Sequence, residues 1–376
     1  MSFGYSSPEP SRGERSFEPW RHGADSPVRV IDDLEGLAAL EPAWNQLASP
    51  HGHPLRTFAW VRSCAEAFED DAELRIFVVE RHGRLRAVAP LVQRRLPAER
   101  LELLGGRELH APCEIFYADT DALTMLVESL ADSRIAVSLD GFPAGGPMLP
   151  TFEQAYEGRG WVRAMEIDPM PYIQLDASWL TPEHRLDPGL CSDLLRVLRQ
   201  CESIGEVQYE VFSPSSADQL IARLSEIKAG PSPWTWAHAS AASKRGRFIR
   251  RYAGYAAEQG LLRLVMLRID GRPVALQLAI EAEQRYWVLH MCYDEQFARL
   301  LPNMLLTVHA IGHAAAQGLR SYEFLGEPES WAKRFTDNQS GCRALRTYPL
   351  NAAGYAALCS DTAHASLGGV RRATNA

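Results

Sequence analysis

Two similar hairpin patterns, about 190 residues apart, constrain the fold of this chain more than any other feature of its sequence. They are LRIFVVERHGRLRAVAPL and LRLVMLRIDGRPVALQLAI. Each consists of an apolar run, a charged turn that contains glycine, and a second apolar run. Both lie among segments with the three- and four-residue apolar spacing of amphipathic helices. The pattern predicts that one module of strands and helices occurs twice.

The expected fold class is α/β (α+β), with two tandem modules that each contain a mixed, mostly antiparallel sheet flanked by helices. We place the first module at 28–175 and the second at 191–350. Residues 176–190 are polar and contain two prolines, which favours a linker. Residues 1–27 are rich in Ser, Pro, Gly, Arg and Glu and are expected to be a disordered tail, and 351–376 a second tail.

Composition excludes several classes of protein. Of the 376 residues, 46% are apolar and 23% charged, so a wholly disordered chain is excluded. The 39 basic and 47 acidic residues give a net charge of −8, which argues against a large footprint on duplex nucleic acid. No apolar run is long enough to predict a membrane-spanning helix, and we expect no secretory signal at the N-terminus. The seven cysteines are scattered without a CxxC pair, so we expect reduced thiols and a cytoplasmic location.

Short motifs are also absent. The sequence contains no P-loop, GxGxxG, GxSxG or HExxH. His309 and His313 have the spacing of a metal pair on a helix, but no third ligand is visible nearby. We therefore predict no metal.

Three segments of the second module follow one another in a characteristic order: VMLRIDGRPVALQLAI, then RYWVLHMCYDEQFARLLPNMLLTVHAIGHAAAQGL, then SYEFLGEPESWAKRF. In order and spacing, the chain resembles acyltransferases of the GNAT superfamily of the cellulose-biosynthesis (CelD/BcsL-like) type, relatives of the FemAB peptidyltransferases. The resemblance covers about 28–350 and includes AVAPL in the first module. It implies two tandem GNAT-like modules and an acyl-CoA co-substrate.

The chain departs from the family pattern at three places. Pro302-Asn303 stands where the family has Pro-Gly, and Glu323 stands where it has Asp. One residue is inserted before Lys333.

The resemblance implies a site for the pyrophosphate of acetyl-CoA or another acyl-CoA at a helix N-terminus, which offers free N–H groups and a positive dipole end. That segment is Leu301, Pro302, Asn303, Met304 and Leu305. A plain helix cap without a ligand is the alternative.

The candidate catalytic residues lie on two predicted strands. In RYWVLHMCYD, alternation places Tyr286, Val288, His290, Cys292 and Asp294 on one face, so that His290 and Asp294 can share a cleft. Core packing of the histidine and turn capping by the aspartate are the alternatives.

Proton transfer needs a base for the acceptor and an acid for the leaving thiolate. Glu323 is the leading base because a carboxylate in an apolar strand needs a partner or a function, and His290 is the second candidate. Tyr293 is the candidate acid, with ordinary packing as the alternative.

Candidate substrate-binding residues are Lys244, Arg247, Trp236 and Lys333. The basic run that includes the first two could contact CoA phosphates, an acidic glycan or a tRNA end, or be a solvated helix face.

The sequence thus favours an acyl-CoA-dependent N- or O-acyltransferase (EC 2.3.1.-) in which the acceptor attacks the thioester directly. By resemblance, the acceptor is a sugar, an amine or a cell-envelope precursor, as in polysaccharide biosynthesis. A transferase that uses aminoacyl-tRNA, and a non-catalytic scaffold of a polysaccharide-synthesis complex, remain the alternatives.

Overall fold

A computed structural model describes most of the chain: residues 27–48, 53–68, 72–109, 115–143, 145–167, 170–226, 243–325 and 332–374. The predicted tail at 1–27 lies outside these residues except for its last position. Trp236 also lies outside them. Within the described ranges, no helix is long and apolar enough to cross a membrane.

The strands of the described residues have the following bounds. They are β1 (Val28–Ile31), β2 (Glu73–Arg81), β3 (Arg84–Arg94), β4 (Arg100–Leu103), β5 (Phe116–Tyr117), β6 (Ala136–Pro143), β7 (Gly160–Glu166), β8 (Met170–Gln174), β9 (Val207–Phe212), β10 (Leu262–Ile269), β11 (Arg272–Ala282), β12 (Arg285–Tyr293), β13 (Ser321–Phe324), β14 (Gln339–Ser340) and β15 (Cys342–Pro349).

The α-helices of the described residues are α1 (Leu34–Ala39), α2 (Glu41–Ala48), α3 (Phe58–Phe68), α4 (Gly106–Leu109), α5 (Thr120–Asp132), α6 (Met148–Ala155), α7 (Pro188–Ile204), α8 (Ala217–Ser225), α9 (Lys244–Glu258), α10 (Pro302–Ala316) and α11 (Ala352–Thr374).

The strands form two sheets. The first has the order β1-β2-β3-β4-β6-β15-β7, with β5 paired to β3, and the second has the order β14-β8-β13-β12-β11-β10-β9. Pairing is antiparallel except between β4 and β6 and between β12 and β13. The two sequence hairpins are β2–β3 and β10–β11, at the same relative place in each sheet. The predicted fold, two mixed and mostly antiparallel sheets flanked by helices, is confirmed.

A single buried cluster joins the two sheets. Apolar side chains of α1–α3 and α8–α9 fill the space between β2–β3 and β10–β12. The Trp60 ring, for example, lies 4.7 Å from the Phe248 ring and 4.8 Å from the Tyr252 ring, measured between centroids. The outer face of the first sheet packs on α5 and α6, and that of the second on α7 and α10. The chain is therefore layered, with its central helices shared by both sheets.

The predicted module boundaries at 175 and 191 assign two strands to the wrong sheet. β8, placed in the first module, pairs with β13 of the second sheet. β15, placed in the second module, lies between β6 and β7 of the first sheet. Alternation of apolar residues predicts that such a segment is a strand, but it does not say which sheet edge the strand joins.

The predicted linker and C-terminal tail are both structured. In 176–190, two short 3-10 helices at Ala177–Leu180 and Pro182–His184 bury Trp179 and precede α7. The predicted tail from 351 forms α11, and Asp361 on this helix accepts hydrogen bonds from Arg100 (2.9 Å) and from the Tyr348 hydroxyl (2.9 Å). Helix α11 is thus attached to the first sheet.

Candidate functional site

The second sheet opens where two parallel strands diverge. β12 and β13 pair over four positions, from Arg285 opposite Ser321 to Val288 opposite Phe324. β13 then ends, while β12 continues to Tyr293. We call the gap beside the last five residues of β12 the strand opening. Among the described residues, no strand pairs with β12 on this side beyond Val288, so the sheet is open there.

A β-bulge lies at the edge of the strand opening. Leu278 of β11 is in register with His290, and Ala279 is in register with Val288, so Leu289 is an extra residue in β12. A bulge bends the strand and leaves its extra residue out of the ladder. The regular ladder of β12 is therefore interrupted at Leu289, beside the strand opening.

The bulge makes the predicted alternation of β12 wrong. Tyr286 and Val288 pack toward α10, as alternation requires. After the bulge, Cys292 packs into the cluster between the sheets, and His290 is opposite Leu278 of that same cluster. The one-residue insertion reverses the face of every side chain that follows it. His290 and Val288 are thus on opposite faces of the sheet.

Asp294 is the N-terminal cap of a 3-10 helix at Glu295–Leu300. Its Oδ1 accepts the Gln296 N–H at 3.0 Å, and its Oδ2 pairs with Arg272 at 2.5 Å. Both oxygens are used in local structure, and the side chain is almost fully buried. The structure therefore favours the capping interpretation of this residue.

Glu323 lies on the sheet face that is turned toward the first half of the chain. In the parallel register it is opposite Trp287, which packs between the sheets. Its Oε1 accepts hydrogen bonds from Arg285 Nη1 at 3.1 Å and from Ser321 Oγ at 2.6 Å. The Arg285 guanidinium also lies 5.8 Å from the centre of the Trp287 ring. A carboxylate, a cation and an aromatic ring therefore meet beside the strand opening.

His53 brings the first half of the chain to the same place. Its ring is 4.5 Å from the Trp287 ring between centroids, edge to face. Burial, followed by the charges of Arg56 and Arg285, lowers the pKa of His53 to about 3. Its Nδ1 accepts the Leu55 N–H at 3.3 Å, so the proton of this neutral imidazole is on Nε2. No pattern in the sequence around His53 predicts this contact.

Trp287 has an unused hydrogen-bond donor. The side chain is 4% exposed, and its buried Nε1–H has no acceptor among the described residues. A tryptophan nitrogen can only donate, and a buried donor without an acceptor is unfavourable. A ligand oxygen at this position would satisfy it.

The opposite face of the strand opening contains a buried polar network beneath α10. Gln277 Nε2 donates to the Tyr322 hydroxyl at 2.8 Å and lies 3.2 Å from Met291 Sδ. Burial raises the pKa of Tyr322, so this phenol stays protonated. Tyr293, the predicted acid, is half-buried on this α10 side. The candidate base and the candidate acid are therefore on opposite faces of the sheet.

The N-terminus of α10 offers fewer donors than a glycine-rich loop does. Leu301, the cap residue, has left-handed backbone angles (φ 45°, ψ 48°). Pro302 has no N–H, while the N–H groups of Met304 and Leu305 bond to the Leu301 carbonyl. The Asn303 N–H remains the donor of this turn without a backbone acceptor among the described residues.

The other predicted substrate-binding residues are spread over the structure. Arg247 Nη2 donates to the Ala67 carbonyl at 3.0 Å, which ties α9 to α3. Lys244 is the first residue of α9, after the Ser243 cap. Lys333 is exposed in a 3-10 helix at Ala332–Arg334. The structure thus assigns Arg247 a contact between the halves.

Comparison with known proteins gives one sequence match and several structural ones. The family described as "Acetyltransferase (GNAT) domain" matches residues 191–333. No curated protein matches the chain in sequence. The chain is similar in structure to the C-terminal domain of a protein from Agrobacterium fabrum assigned as a lysylphosphatidylglycerol synthetase, with a TM-score of 0.51 and 14% identity over 87% of this chain and 96% of that one.

Two further structures have lower scores. FemX has a TM-score of 0.49 and 14% identity, and covers 86% of this chain and 97% of its own. A tandem GNAT protein from the clavulanic acid biosynthesis pathway has a TM-score of 0.42 and 12% identity, with coverage of 86% and 99%. At such identities, the similarity to the Agrobacterium fabrum domain establishes the fold alone. The narrower CelD/BcsL-like resemblance stays a prediction, and what the comparisons add is the similarity of residues 191–333 to the GNAT acetyltransferase domain family.

Proposed function

We propose that the chain is an acyl-CoA-dependent acyltransferase that works at the strand opening. One observation carries this proposal: Glu323 lies beside diverging parallel strands, next to a β-bulge in β12. A nucleophile, a thioester carbonyl and a base can meet there without a covalent enzyme intermediate.

The donor would lie on the α10 side. The Asn303 N–H and the positive end of the α10 dipole would hold a CoA phosphate. The thioester carbonyl would accept a hydrogen bond from the bulge at Leu289. An N–H donor at the helix end and an interrupted strand ladder in the same sheet support CoA as the co-substrate.

The acceptor would lie on the other side, between the halves of the chain. An amine or hydroxyl gives its proton to Glu323 and attacks the carbonyl carbon. A C–N or C–O bond forms, the C–S bond breaks, and the thiolate takes a proton from Tyr293 on the α10 side. The Trp287 indole N–H and the His53 imidazole would bind polar groups of the acceptor. As the resemblance implies, we propose a sugar, an amine or an envelope precursor in the cytoplasm.

A second candidate donor is aminoacyl-tRNA. It is favoured by the single available N–H at the start of α10, which is a weak cradle for a pyrophosphate. Loss of the transfer activity on treatment with RNase would select this donor.

The first experiment is thermal unfolding of the full chain with and without acetyl-CoA and longer acyl-CoAs. A ligand at 100 times its Kd adds about 2.7 kcal/mol to the free energy of unfolding, which raises the midpoint visibly. Glu323→Gln should keep this shift and lose release of free CoA thiol with glucosamine as the acceptor. Absence of a shift with every thioester would contradict the CoA proposal, and full turnover by Glu323→Gln would remove this residue as the base.

A further inference from the structure

A cavity of about 470 Å³ lies between α7 and α10, away from the strand opening. The sheet side of α10 is occupied by fully buried residues such as Leu306, Ala310 and Ile311. The cavity is lined by a different stripe of the same helix, from Leu305 to Ala316. The cavity is open to solvent on one side and has the size of a small-molecule binding cleft.

The cavity is elongated. Its α10 wall spans 12 residues, or 11 rises of 1.5 Å, which is about 16 Å. The facing wall is the Leu194, Leu195 and Leu198 side of α7. Pro182, from the segment predicted to be a linker, closes over α10 at Gly312, where a Cβ would lie 3.4 Å from the proline Cγ. This shape suits a chain better than a compact ring system.

The walls of the cavity are aliphatic and carry little charge. Tyr209 and His309 stack with their centroids 4.3 Å apart and their planes at 8°, so they present ring surface. Burial and the neighbouring His313 lower the pKa of His309, which keeps this imidazole neutral. The carboxylate of Glu183 is on an exposed residue at the rim. The other imidazole in this wall, His313, has its Nε2 3.4 Å from Glu281 Oε1, so an anionic headgroup would approach a carboxylate there rather than an unshared cation.

Apolar side chains flank the mouth of the cavity. Leu180 is 55% exposed and Leu195 is 43% exposed, and both also line the cavity. A ligand that fills the cavity would cover them and remove apolar area from water, which is favourable at about 25 cal/mol per Å².

We propose that the cavity between α7 and α10 is a binding site for one uncharged hydrocarbon chain, such as the tail of a neutral amphiphile. The aliphatic walls, the elongated shape and the lack of buried charge all select a neutral chain over an anion. This site is separate from acyl transfer and does not depend on the proposed function.

The test uses the full chain and the neutral fluorescent probe N-phenyl-1-naphthylamine. We expect a saturable rise in probe fluorescence that 1-decanol reverses, with decanoate at least tenfold weaker. Gly312→Leu fills the cavity from its α10 wall and should lower the affinity for the probe at least tenfold. Leucine is also the better helix former, so α10 should stay intact. The matched control, Gln317→Leu, adds the same side chain on an exposed residue just past α10 and should change affinity less than twofold.

Three results would overturn the proposal: no probe binding, unchanged affinity in Gly312→Leu, or displacement of the probe by acetyl-CoA. The last result would assign the cavity to the donor. If Gly312→Leu lowers the unfolding midpoint, Val308→Phe takes its place in the comparison, because it fills the same cavity from the same side of α10. A midpoint shift of the wild type with acetyl-CoA reports on the acyltransferase separately, so failure of one proposal leaves the other open to its own test.

Discussion

Two buried tryptophans offer a direct test of the unused indole donor at the strand opening. Trp44 is fully buried, and its Nε1 donates to the Arg56 carbonyl at 2.9 Å. Trp287 is 4% exposed, and its Nε1 has no acceptor among the described residues. The same change, to phenylalanine, removes similar packing at both sites. It removes a hydrogen bond at Trp44 and an unfavourable buried donor at Trp287.

The hydrogen-bond term therefore has opposite signs in the two variants. Loss of a made hydrogen bond costs about 1 kcal/mol, and relief of a buried unsatisfied donor returns about 1–3 kcal/mol. We expect Trp287→Phe to be less destabilising than Trp44→Phe by about 2–4 kcal/mol. The measurement is urea unfolding of both variants and the wild type, followed by far-UV circular dichroism, with m-values compared first.

The effect on the acceptor KM should be larger for Trp287→Phe than for Trp44→Phe. If the Trp287 N–H binds an acceptor oxygen, Trp287→Phe should raise the acceptor KM while leaving the acetyl-CoA midpoint shift unchanged. Trp44→Phe, away from the strand opening, should leave KM as it is. Equal destabilisation by the two substitutions would refute the argument, because it would mean that the Trp287 N–H is already satisfied in the free chain.

Three further substitutions test local features. Asp361→Asn should weaken the attachment of α11 by about 2 kcal/mol, since it removes the charge-assisted hydrogen bond to Arg100 and leaves only Glu102, 4.0 Å away, as a charged neighbour; faster proteolysis near the C-terminus would show this. His53 binds a proton near pH 6.5 when unfolded and near 3 when folded, so its stabilising contribution is complete above pH 6.5 and is lost as pH falls toward 3. Between these values the unfolding free energy of the wild type should fall by up to about 1.4 kcal/mol per pH unit relative to His53→Gln, measured by urea unfolding at each pH. Leu301→Gly should be more stable than Leu301→Ala by about 1 kcal/mol, because both lose the packing of the side chain and only glycine is free of left-handed strain; equal thermal midpoints would mean that the cap is unstrained.

Local pattern predicted the hairpins and most helices. β2–β3 and β10–β11 are where the glycine turns predict them, because Gly83 (φ 69°) and Gly271 (φ 73°) occupy turn positions that disfavour other residues. The start of α10 at Pro302 is also where the sequence predicts it. Such features depend on residues close in sequence, so a single sequence contains them.

The site was less predictable, and the reason is the single extra residue at Leu289. Period-two alternation holds up to Val288 and fails after it. His290 and Cys292 therefore lie on the opposite face of the sheet from the predicted one. No residue type marks a bulge of this kind in RYWVLHMCYD. His53 was missed for a different reason, since its contact with Trp287 joins residues 234 positions apart.

The exchange of β8 and β15 between the sheets explains why the halves of this chain should be regarded as one folding unit. β8 covers the edge of β13 that β12 leaves free, and without it Glu323 would lie on an exposed sheet edge. β8 in turn precedes, in the chain, the segment that closes over α10 with Pro182. The strand opening and the cavity beside α10 are thus both completed by residues next to the predicted domain boundary. The segment 176–190, which composition predicts to be a linker between domains, therefore contains or adjoins residues that complete both sites.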